Sequence, residues 1–401
     1  MELWKKIELA QSKLAGIIHR TPTVHSDTIS KLTGYEVFLK LENLQKAGSF
    51  KIRGAYFKMS RLSPSQGKAG VVAASAGNHA QGVALASSLL GIHSTIVMPE
   101  ESSIAKQEAT RSYGGEVILF GSDVNESLDH ARGLEEGGKT FIHPFDDTDV
   151  IAGQGTMGLE ILEDVPDVET IIVPIGGGGL ISGISTLVKK KRPRVKIIGV
   201  ESAHAPSAVA SLTKKRIVEV KIKPTLADGI ALRKIGEIAF PIIQRNVDQV
   251  VMVEENEIAS AILMLMERKR VVAEGAGATP LAALLSGRPK IKGKKIVLVI
   301  SGGNIDFNLL DRILEKGLAQ TGRVVRLEVL LRDVPGALAR IAALVGQYHA
   351  NILHIIHERA AKEIPIGFSK VILVLETRNR SHIREIRNGL REEDYAIRIL
   401  T

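Results

Sequence analysis

The sequence contains no cysteine, has few aromatic residues and holds no long apolar run. The absence of cysteine excludes disulfides, thiolate metal ligands and thiol nucleophiles. The formal net charge is +9, but only 4% of the residues are aromatic and the basic residues form no stripe, so we expect no nucleic-acid partner. No segment approaches the roughly 18 apolar residues of a membrane span, and no signal-peptide core follows Met1. We therefore expect a cytoplasmic protein that binds no membrane.

The chain does contain the material for two or three packed domains, since 44% of its 401 residues are hydrophobic. Apolar, β-branched runs alternate with longer helical patterns, at residues 70–74, 94–98, 116–120, 170–174, 196–200 and 296–300. Buried parallel strands joined by helices have this pattern. The sequence therefore predicts an α/β fold, in which ligands bind beyond the carboxyl ends of the strands.

The pattern changes after a polar connector at residues 315–323, and we place a domain boundary near residue 321. Beyond it we predict a strand at 326–331, a helix at 335–348, strands at 352–357 and 369–375, a helix at 382–390 and a strand at 395–400. This order is that of a ferredoxin-like βαββαβ unit. The predicted domains are residues 1–321, with a smaller lobe over roughly residues 45–145, and residues 322–401.

Four consecutive glycines follow one predicted strand and open a helical segment. With the next residue they are Gly176, Gly177, Gly178, Gly179 and Leu180. Backbone N–H groups that converge beside a helix N-terminus suit a phosphate. A tightly packed glycine turn is the structural alternative. A dinucleotide site is another, because Gly177, Gly179 and Ser182 approximate the Rossmann fingerprint and Glu201 lies near the end of the next strand.

Two further polar runs also follow predicted strands. The first consists of Ser75, Ala76, Gly77, Asn78 and His79, and it suits a carboxylate, although Ser75 or Asn78 alone would be read as a helix cap. The second starts at Ser301 and continues to Asn304. A serine hydroxyl facing a pyridine nitrogen can form a hydrogen bond without fully protonating it, which favours prompt loss of a β-leaving group.

Lys51 gives these three runs a common interpretation. A single lysine is usually a solvated charge, but a lysine-bound aldehyde cofactor would need an anion cradle, a carboxylate site and a partner for its ring nitrogen. Together the runs resemble the β-family, or tryptophan-synthase β-like fold type II, of pyridoxal-phosphate enzymes, and within it the threonine dehydratases. The resemblance covers roughly residues 1–315 and includes the motifs at residues 49–55 and 225–230.

The resemblance implies a two-lobed catalytic region and a role for each motif. Lys51 would hold pyridoxal 5'-phosphate covalently, Phe50 would lie against its ring and Asn78 would bind the ring hydroxyl. Gly176, Gly177, Gly178, Gly179 and Leu180 would bind the phosphate, and Ser301 the ring nitrogen. Residues 75–79 would hold the substrate carboxylate.

The implied reaction is the deamination of L-threonine to 2-oxobutanoate and ammonia, with Lys51 as the base. An L-serine dehydratase or another β-eliminating lyase is the enzymatic alternative, and an amino-acid-binding regulator with an inert catalytic half is the other. Related serine racemases carry a serine where this chain has Ala76, so a second base for racemisation is missing. They also have an acidic metal ligand shortly after the position of Glu201, where residues 202–207 contain none, so we expect no metal.

Residues 324–401 resemble an ACT domain, an amino-acid-sensing module. The matching positions include Asp333, Gly336, Ala337, Leu338, Asn351 and Ile352. The resemblance implies an effector site formed between subunits, with isoleucine as the feedback inhibitor, valine as its antagonist, and a homodimer or homotetramer. A purely structural dimerisation module is the alternative, and a catabolic role is the alternative to isoleucine synthesis.

Overall fold

The computed structural model describes residues 1–400, which divide into two compact units. The first unit is Met1–Ile305 and the second begins at Asp306. The predicted boundary near residue 321 falls at the end of a helix, Phe307–Gln320, that belongs to the second unit. Within residues 1–400, no helix combines the length and hydropathy that crossing a membrane requires.

The first unit is built on two sheets. The larger has the order β1-β2-β10-β7-β8-β9 and the smaller the order β5-β4-β3-β6. Their strands, in chain order, are β1 (Thr23–His25), β2 (Glu36–Leu41), β3 (Val71–Ala74), β4 (Ser94–Met98), β5 (Glu116–Leu119), β6 (Thr140–Phe141), β7 (Thr170–Pro174), β8 (Lys196–Ser202), β9 (Gln249–Val253) and β10 (Lys295–Ile300). All neighbours are parallel except β1 and β2. The α/β prediction is therefore confirmed.

Helices connect these strands and cover the sheets. They are α1 (Leu3–Leu14), α2 (Asp27–Thr33), α3 (Lys51–Met59), α4 (Pro64–Ala69), α5 (Asn78–Leu90), α6 (Ile104–Ser112), α7 (Val124–Glu136), α8 (Thr148–Asp164), α9 (Gly179–Lys191), α10 (Ser207–Lys214), α11 (Ala239–Asn246), α12 (Glu255–Met264) and α13 (Gly275–Leu285). Three short 3-10 turns also occur, at Glu42–Leu44, Lys46–Gly48 and Asp228–Ile230.

All six strands predicted in this unit are present. Five of them, β3, β4, β7, β8 and β10, are apolar runs that the fold buries almost entirely on both faces, whereas β5 lies at the edge of the smaller sheet and is partly exposed. Four further strands, β1, β2, β6 and β9, were not predicted. Of these, β1 and β6 are only three and two residues long. In β2 the buried residue Lys40 interrupts the apolar pattern, and β9 is an edge strand with partly exposed residues.

A buried network of charges anchors α3 to its neighbours. The Arg53 guanidinium lies 2.7–2.9 Å from both carboxylate oxygens of Glu42 and of Glu160 on α8. Lys40 completes the network at 2.6 Å from Glu160. All four side chains are at most 3% exposed, so every charge in this dry site has a partner. Neighbouring glycines permit close packing, since a Cβ on Gly82 would lie 3.1 Å from the Lys51 backbone.

The second unit has one antiparallel sheet of order β12-β13-β11-β14. Its elements are α14 (Phe307–Gln320), β11 (Val324–Arg332), α15 (Ala337–Gln347), β12 (Asn351–Glu358), β13 (Phe368–Glu376), α16 (Arg380–Glu392) and β14 (Ala396–Leu400). After α14 the order is βαββαβ, so the ferredoxin-like prediction is confirmed. Alternating residues of β11 and β13 pack against α15 and α16 as its core.

Candidate active site

Three loops meet at the carboxyl ends of β3, β7 and β10. Backbone hydrogen bonds tie the segment before Lys51 to the loop after β10: the Phe50 N–H donates to Ser301 O at 3.1 Å, and the Gly303 N–H donates to Gly48 O at 2.9 Å. Lys51 then begins α3. Two segments 250 residues apart in the sequence are thus fixed against each other at one edge of the fold.

Lys51 points into a cavity enclosed by both lobes. Its Nζ donates to the Pro144 carbonyl at 2.8 Å and lies 5.3 Å from the centre of the Phe50 ring. Burial lowers the pKa of Lys51 to about 8, although the nearby Glu274 carboxylate raises it in part. A neutral amine, the form that attacks an aldehyde or removes a proton, is therefore accessible near neutral pH.

The glycine run forms a second wall. Gly178 adopts a left-handed conformation (φ +92°) that favours glycine, and it caps α9. Within residues 1–400, none of the backbone N–H groups of residues 176–180 has an acceptor. A Cβ on Gly177 would overlap the Phe145 ring. The run therefore presents unused donors at a helix N-terminus, the arrangement that binds a phosphate.

The cavity has a volume of about 550 Å³, a figure that includes space open to solvent. The predicted residues that line it are Phe50, Lys51, Asn78, Gly176, Gly177, Gly178, Gly179, Leu180 and Ser301. The Ser301 side chain is buried, and its hydroxyl has no hydrogen-bond partner in the described part of the chain. All the residues expected around the cofactor therefore meet in one place.

The proposed carboxylate run contributes less to this cavity than expected. Of residues 75–79 only Asn78 lines it; Ser75, Ala76 and Gly77 form the turn from β3 into α5, and His79 lies in the first turn of α5. The Ser75 hydroxyl accepts from the Gly77 N–H at 3.2 Å. The His79 ring is buried with Nε2 2.8 Å from Ile142 O, and burial lowers its pKa to about 3. His79 is thus a neutral side chain held by the backbone of the smaller lobe.

Glu274 is the main cavity residue that the sequence analysis missed. It precedes α13 and is only 5% exposed, and both of its carboxylate oxygens lie 2.8 Å from Asn78 Nδ2. Burial raises its pKa to about 7. Small residues at 275–278 allow α13 to pack closely here, since a Cβ on Gly277 would lie 2.6 Å from Gly302 O. That run, directly after an acid, is the signal that could have identified it.

The turn after β6 was also missed. Pro144 accepts from Lys51, and Phe145 packs under the glycine run. His143 orders this turn, because its Nδ1 accepts from the Phe145 and Asp146 N–H groups, and burial lowers its pKa to about 4. No local pattern indicates this turn, because β6 is only two residues long.

Glu201 lies apart from this cavity. Its carboxylate accepts from the Ala208 and Val209 N–H groups at 2.7 and 2.9 Å, at the start of α10. Burial raises its pKa to about 7. Within residues 1–400, no cluster of three or more acidic or histidine side chains could hold a metal ion.

The residues predicted to be regulatory lie in the second unit. Gly336 (φ +82°) caps α15, which Ala337 and Leu338 begin, while Asn351 and Ile352 begin β12. The Asp333 carboxylate accepts from Arg359 Nε at 3.0 Å. Asn351 Nδ2 lies 3.4 Å from Glu376 on β13. The structure therefore places the predicted positions on the turn before α15 and at the start of the edge strand.

Comparison with known proteins agrees with both units. Residues 14–302 match the family model for pyridoxal-phosphate dependent enzymes, and residues 325–392 match that for the ACT domain. An L-threonine ammonia-lyase of Thermotoga maritima is 52% identical over 395 residues, which is 98% of each chain.

Solved structures give the same grouping. Threonine deaminase isoform 2 of Solanum lycopersicum is 38% identical with a TM-score of 0.74, over 78% of this chain and 92% of that one. Maize serine racemase is 37% identical with the same TM-score, over 79% of this chain and 98% of that one.

Proposed function

Because this chain belongs to the pyridoxal-phosphate dependent enzymes, we propose that it deaminates L-threonine to 2-oxobutanoate and ammonia. Its first unit has fold type II, and its second unit is an ACT domain. The observation that carries the proposal is the single cavity in which Lys51, the glycine run and Ser301 meet. The 52% identity to an L-threonine ammonia-lyase over nearly the whole chain supports the choice of substrate.

The cavity fits the cofactor on its own geometry. The free N–H groups of residues 176–180 suit the phosphate, and the unpaired Ser301 hydroxyl suits the ring nitrogen. Phe50 would pack against the ring, Asn78 would bind the ring hydroxyl and Lys51 would hold the aldehyde carbon. When bound, pyridoxal phosphate accepts the electron pair left on the substrate α-carbon.

The chain's own residues supply the proton transfers and the orientation. Once the substrate amine has replaced it on the cofactor, Lys51, whose pKa is lowered to about 8, would take the α-proton as a neutral amine. Ser301 would donate a neutral hydrogen bond to the ring nitrogen, which favours early loss of the β-hydroxyl. That hydroxyl would leave as water with the proton that Lys51 has taken up. The enamine, released when Lys51 returns to the cofactor, would tautomerise and take up water to give 2-oxobutanoate and ammonia. Residues 75–79 would orient the substrate carboxylate at the N-terminus of α5.

The first experiment is an absorption spectrum of the loaded enzyme before and after L-threonine, with a 2-oxoacid assay on the same sample. We expect a visible band that changes with L-threonine, together with 2-oxobutanoate. L-2-aminobutanoate, which lacks the β-hydroxyl, is the matched control and should give no product. A band without product from L-threonine would contradict the substrate assignment. Comparison of kcat/KM for threonine and serine separates a threonine from a serine dehydratase.

We assign catalysis to residues 1–321 and regulation to residues 322–401. An ACT domain binds amino acids, and we propose isoleucine as the inhibitor and valine as its antagonist, in a cytoplasmic enzyme of isoleucine synthesis. Asp333, Gly336, Ala337, Leu338, Asn351 and Ile352 would form the effector site. Inhibition by L-isoleucine that Asn351→Ala weakens, without loss of basal turnover, would support this. Turnover unaffected by isoleucine would contradict it.

We also propose a homodimer or homotetramer, because a single ACT module would form an effector site only with a second copy. The edge strand β12 supports pairing, since Leu353, Ile355 and Ile356 on it are 42–45% exposed. Light scattering of the full chain provides the test. A mass of one chain, 43.3 kDa, at working concentration would contradict the proposal.

A further inference from the structure

The hydrogen bonds around Asn78 fix which way its amide faces. Asn304 Nδ2 lies 2.9 Å from the Ala47 carbonyl, which can only accept, so the Asn304 amide nitrogen must point this way. The same nitrogen lies 2.7 Å from Asn78 Oδ1. The Asn78 oxygen is thereby turned to Asn304, and its NH₂ group is turned to Glu274.

Glu274 is held as firmly as Asn78. Its backbone N–H donates to Gly302 O at 3.1 Å, and its carboxylate is wedged between Asn78, Gly302 and Gly229. It lines the same cavity as Lys51 and Ser301. Glu274 has no part in the reaction proposed above, yet burying a carboxylate without a cationic partner costs folding free energy.

We propose that Glu274 is a positioning residue for pyridoxal phosphate, whose carboxylate aims the Asn78 NH₂ group at the ring hydroxyl and whose charge acts on the ring through that contact. The inference rests on the proposed function only in placing Asn78 against the ring hydroxyl. The Asn78 NH₂ group has two N–H donors, so one can remain on Glu274 while the other serves the ring oxygen.

The charges facing Glu274 come from three elements. Lys51 lies on α3, Lys106 on α6 and Asp228 on the 3-10 turn Asp228–Ile230. Lys106 Nζ lies 3.3 Å from the Asp228 carboxylate. Burial and, to a smaller extent, Asp228 raise the pKa of Glu274, Asn78 and the two lysines oppose them, and the net pKa is about 7. Glu274 therefore gains a proton as pH falls through about 7. A negative ring oxygen close by would move that transition to higher pH.

The test is a pH titration of the visible absorption of the loaded enzyme, without substrate, together with the cofactor dissociation constant. In the unchanged enzyme we expect the band to change with a midpoint at or above about pH 7. Glu274→Gln, which keeps the shape but cannot titrate, should remove this transition and weaken cofactor binding about tenfold. Glu201→Gln is the matched control: Glu201 is also buried with a raised pKa, but lies outside the cavity, and should leave both readouts unchanged.

If Glu274→Gln does not fold, Glu274→Asp tests the same proposal. Its carboxylate is one methylene shorter and should keep a titrating band while binding the cofactor about tenfold more weakly. The proposal would be overturned if the variant tested kept the pH midpoint of the wild-type absorption band and also bound the cofactor with a dissociation constant within about twofold of wild type. A pH-independent band in the unchanged enzyme would also overturn it. Because no substrate is used, failure of threonine deamination would leave this result intact.

Discussion

Lys51 and Arg53 are two residues apart on α3, yet the surroundings of their charges are opposite. Arg53 contacts two carboxylates, Glu42 and Glu160, within a fully buried network. Burial alone would lower the pKa of Arg53, but these carboxylates raise it. In the same way, Arg53 holds the pKa of Glu42 below its usual value despite burial. Pairing therefore favours the charged forms of Arg53 and Glu42.

The cavity on the other side of Lys51 has the reverse property. Lys51 contacts a backbone carbonyl and Glu274 contacts an amide, so neither has a direct partner of opposite charge. Burial therefore brings the pKa of Lys51 down to about 8 and that of Glu274 up to about 7. Buried charges that are paired, as around Arg53, hold α3 against its neighbours. Buried groups without a partner of opposite charge, such as Lys51 and Glu274, instead have pKa values near neutral pH and can exchange protons there.

The largest expected effect comes from removing the amine on the cavity side. Lys51→Ala should abolish the visible band and lower turnover at least about 10³-fold, because both the covalent attachment and the base are lost. The band and the 2-oxoacid assay measure this. Lys58→Ala, on the same helix but paired with Asp147 outside the cavity, is the control and should keep both. Undiminished deamination by Lys51→Ala would remove Lys51 from the mechanism.

Changes in the buried Arg53 network should lower the free energy of unfolding. Arg53→Met leaves Glu42 and Glu160 buried without their main partner, and we expect a loss of about 3–5 kcal/mol in the free energy of unfolding. Urea unfolding of the full chain measures it. Arg20→Met is the matched control, since Arg20 also contacts two carboxylates but is 49% exposed, and should cost less than about 1 kcal/mol. Equal losses in the two variants would show that burial does not distinguish these networks.

The cavity wall should be sensitive to a single methyl group. A Cβ at Gly177 would overlap the Phe145 ring, and we expect Gly177→Ala to weaken cofactor binding by about 1–3 kcal/mol, roughly 5- to 150-fold. Cofactor titration followed by absorbance measures this. Gly133→Ala in α7, where a Cβ meets nothing within 4 Å, should bind the cofactor normally. Normal cofactor binding by Gly177→Ala would contradict the assignment of the phosphate site to residues 176–180.

The smallest effect is a shift in pH dependence. Only the neutral amine attacks an aldehyde, so attachment of pyridoxal phosphate to the cofactor-free enzyme should speed up as pH rises through about 8. Glu274→Gln removes a negative charge that raises the pKa of Lys51, so the midpoint should move to lower pH. Rapid-mixing absorbance at a series of pH values measures both. A midpoint near 10.5, the ordinary value for lysine, would show that burial does not act on Lys51.

Six strands of the first unit, the second unit and the loops expected to bind the cofactor could be predicted from the residues alone. Buried parallel strands are continuous β-branched runs, and glycines beside a helix start are a local signal for an anion, so both are readable without a fold. The meeting of residues 176–180 and Ser301 at one cavity also followed, because they come shortly after β7 and β10, parallel neighbours whose carboxyl ends share an edge. The family resemblance placed Lys51 at the same site.

The pairing of buried charges and the roles of single polar residues depend on contacts that form only in the folded chain. Glu42, Glu160 and Glu274 are all buried acids, and nothing local separates the two that contact Arg53 from the one that contacts Asn78. His79 lies in a motif of the site, yet its ring contacts Ile142 O. The physical reason is that burial and partner set a pKa, and both depend on segments distant in sequence that meet only when the chain folds.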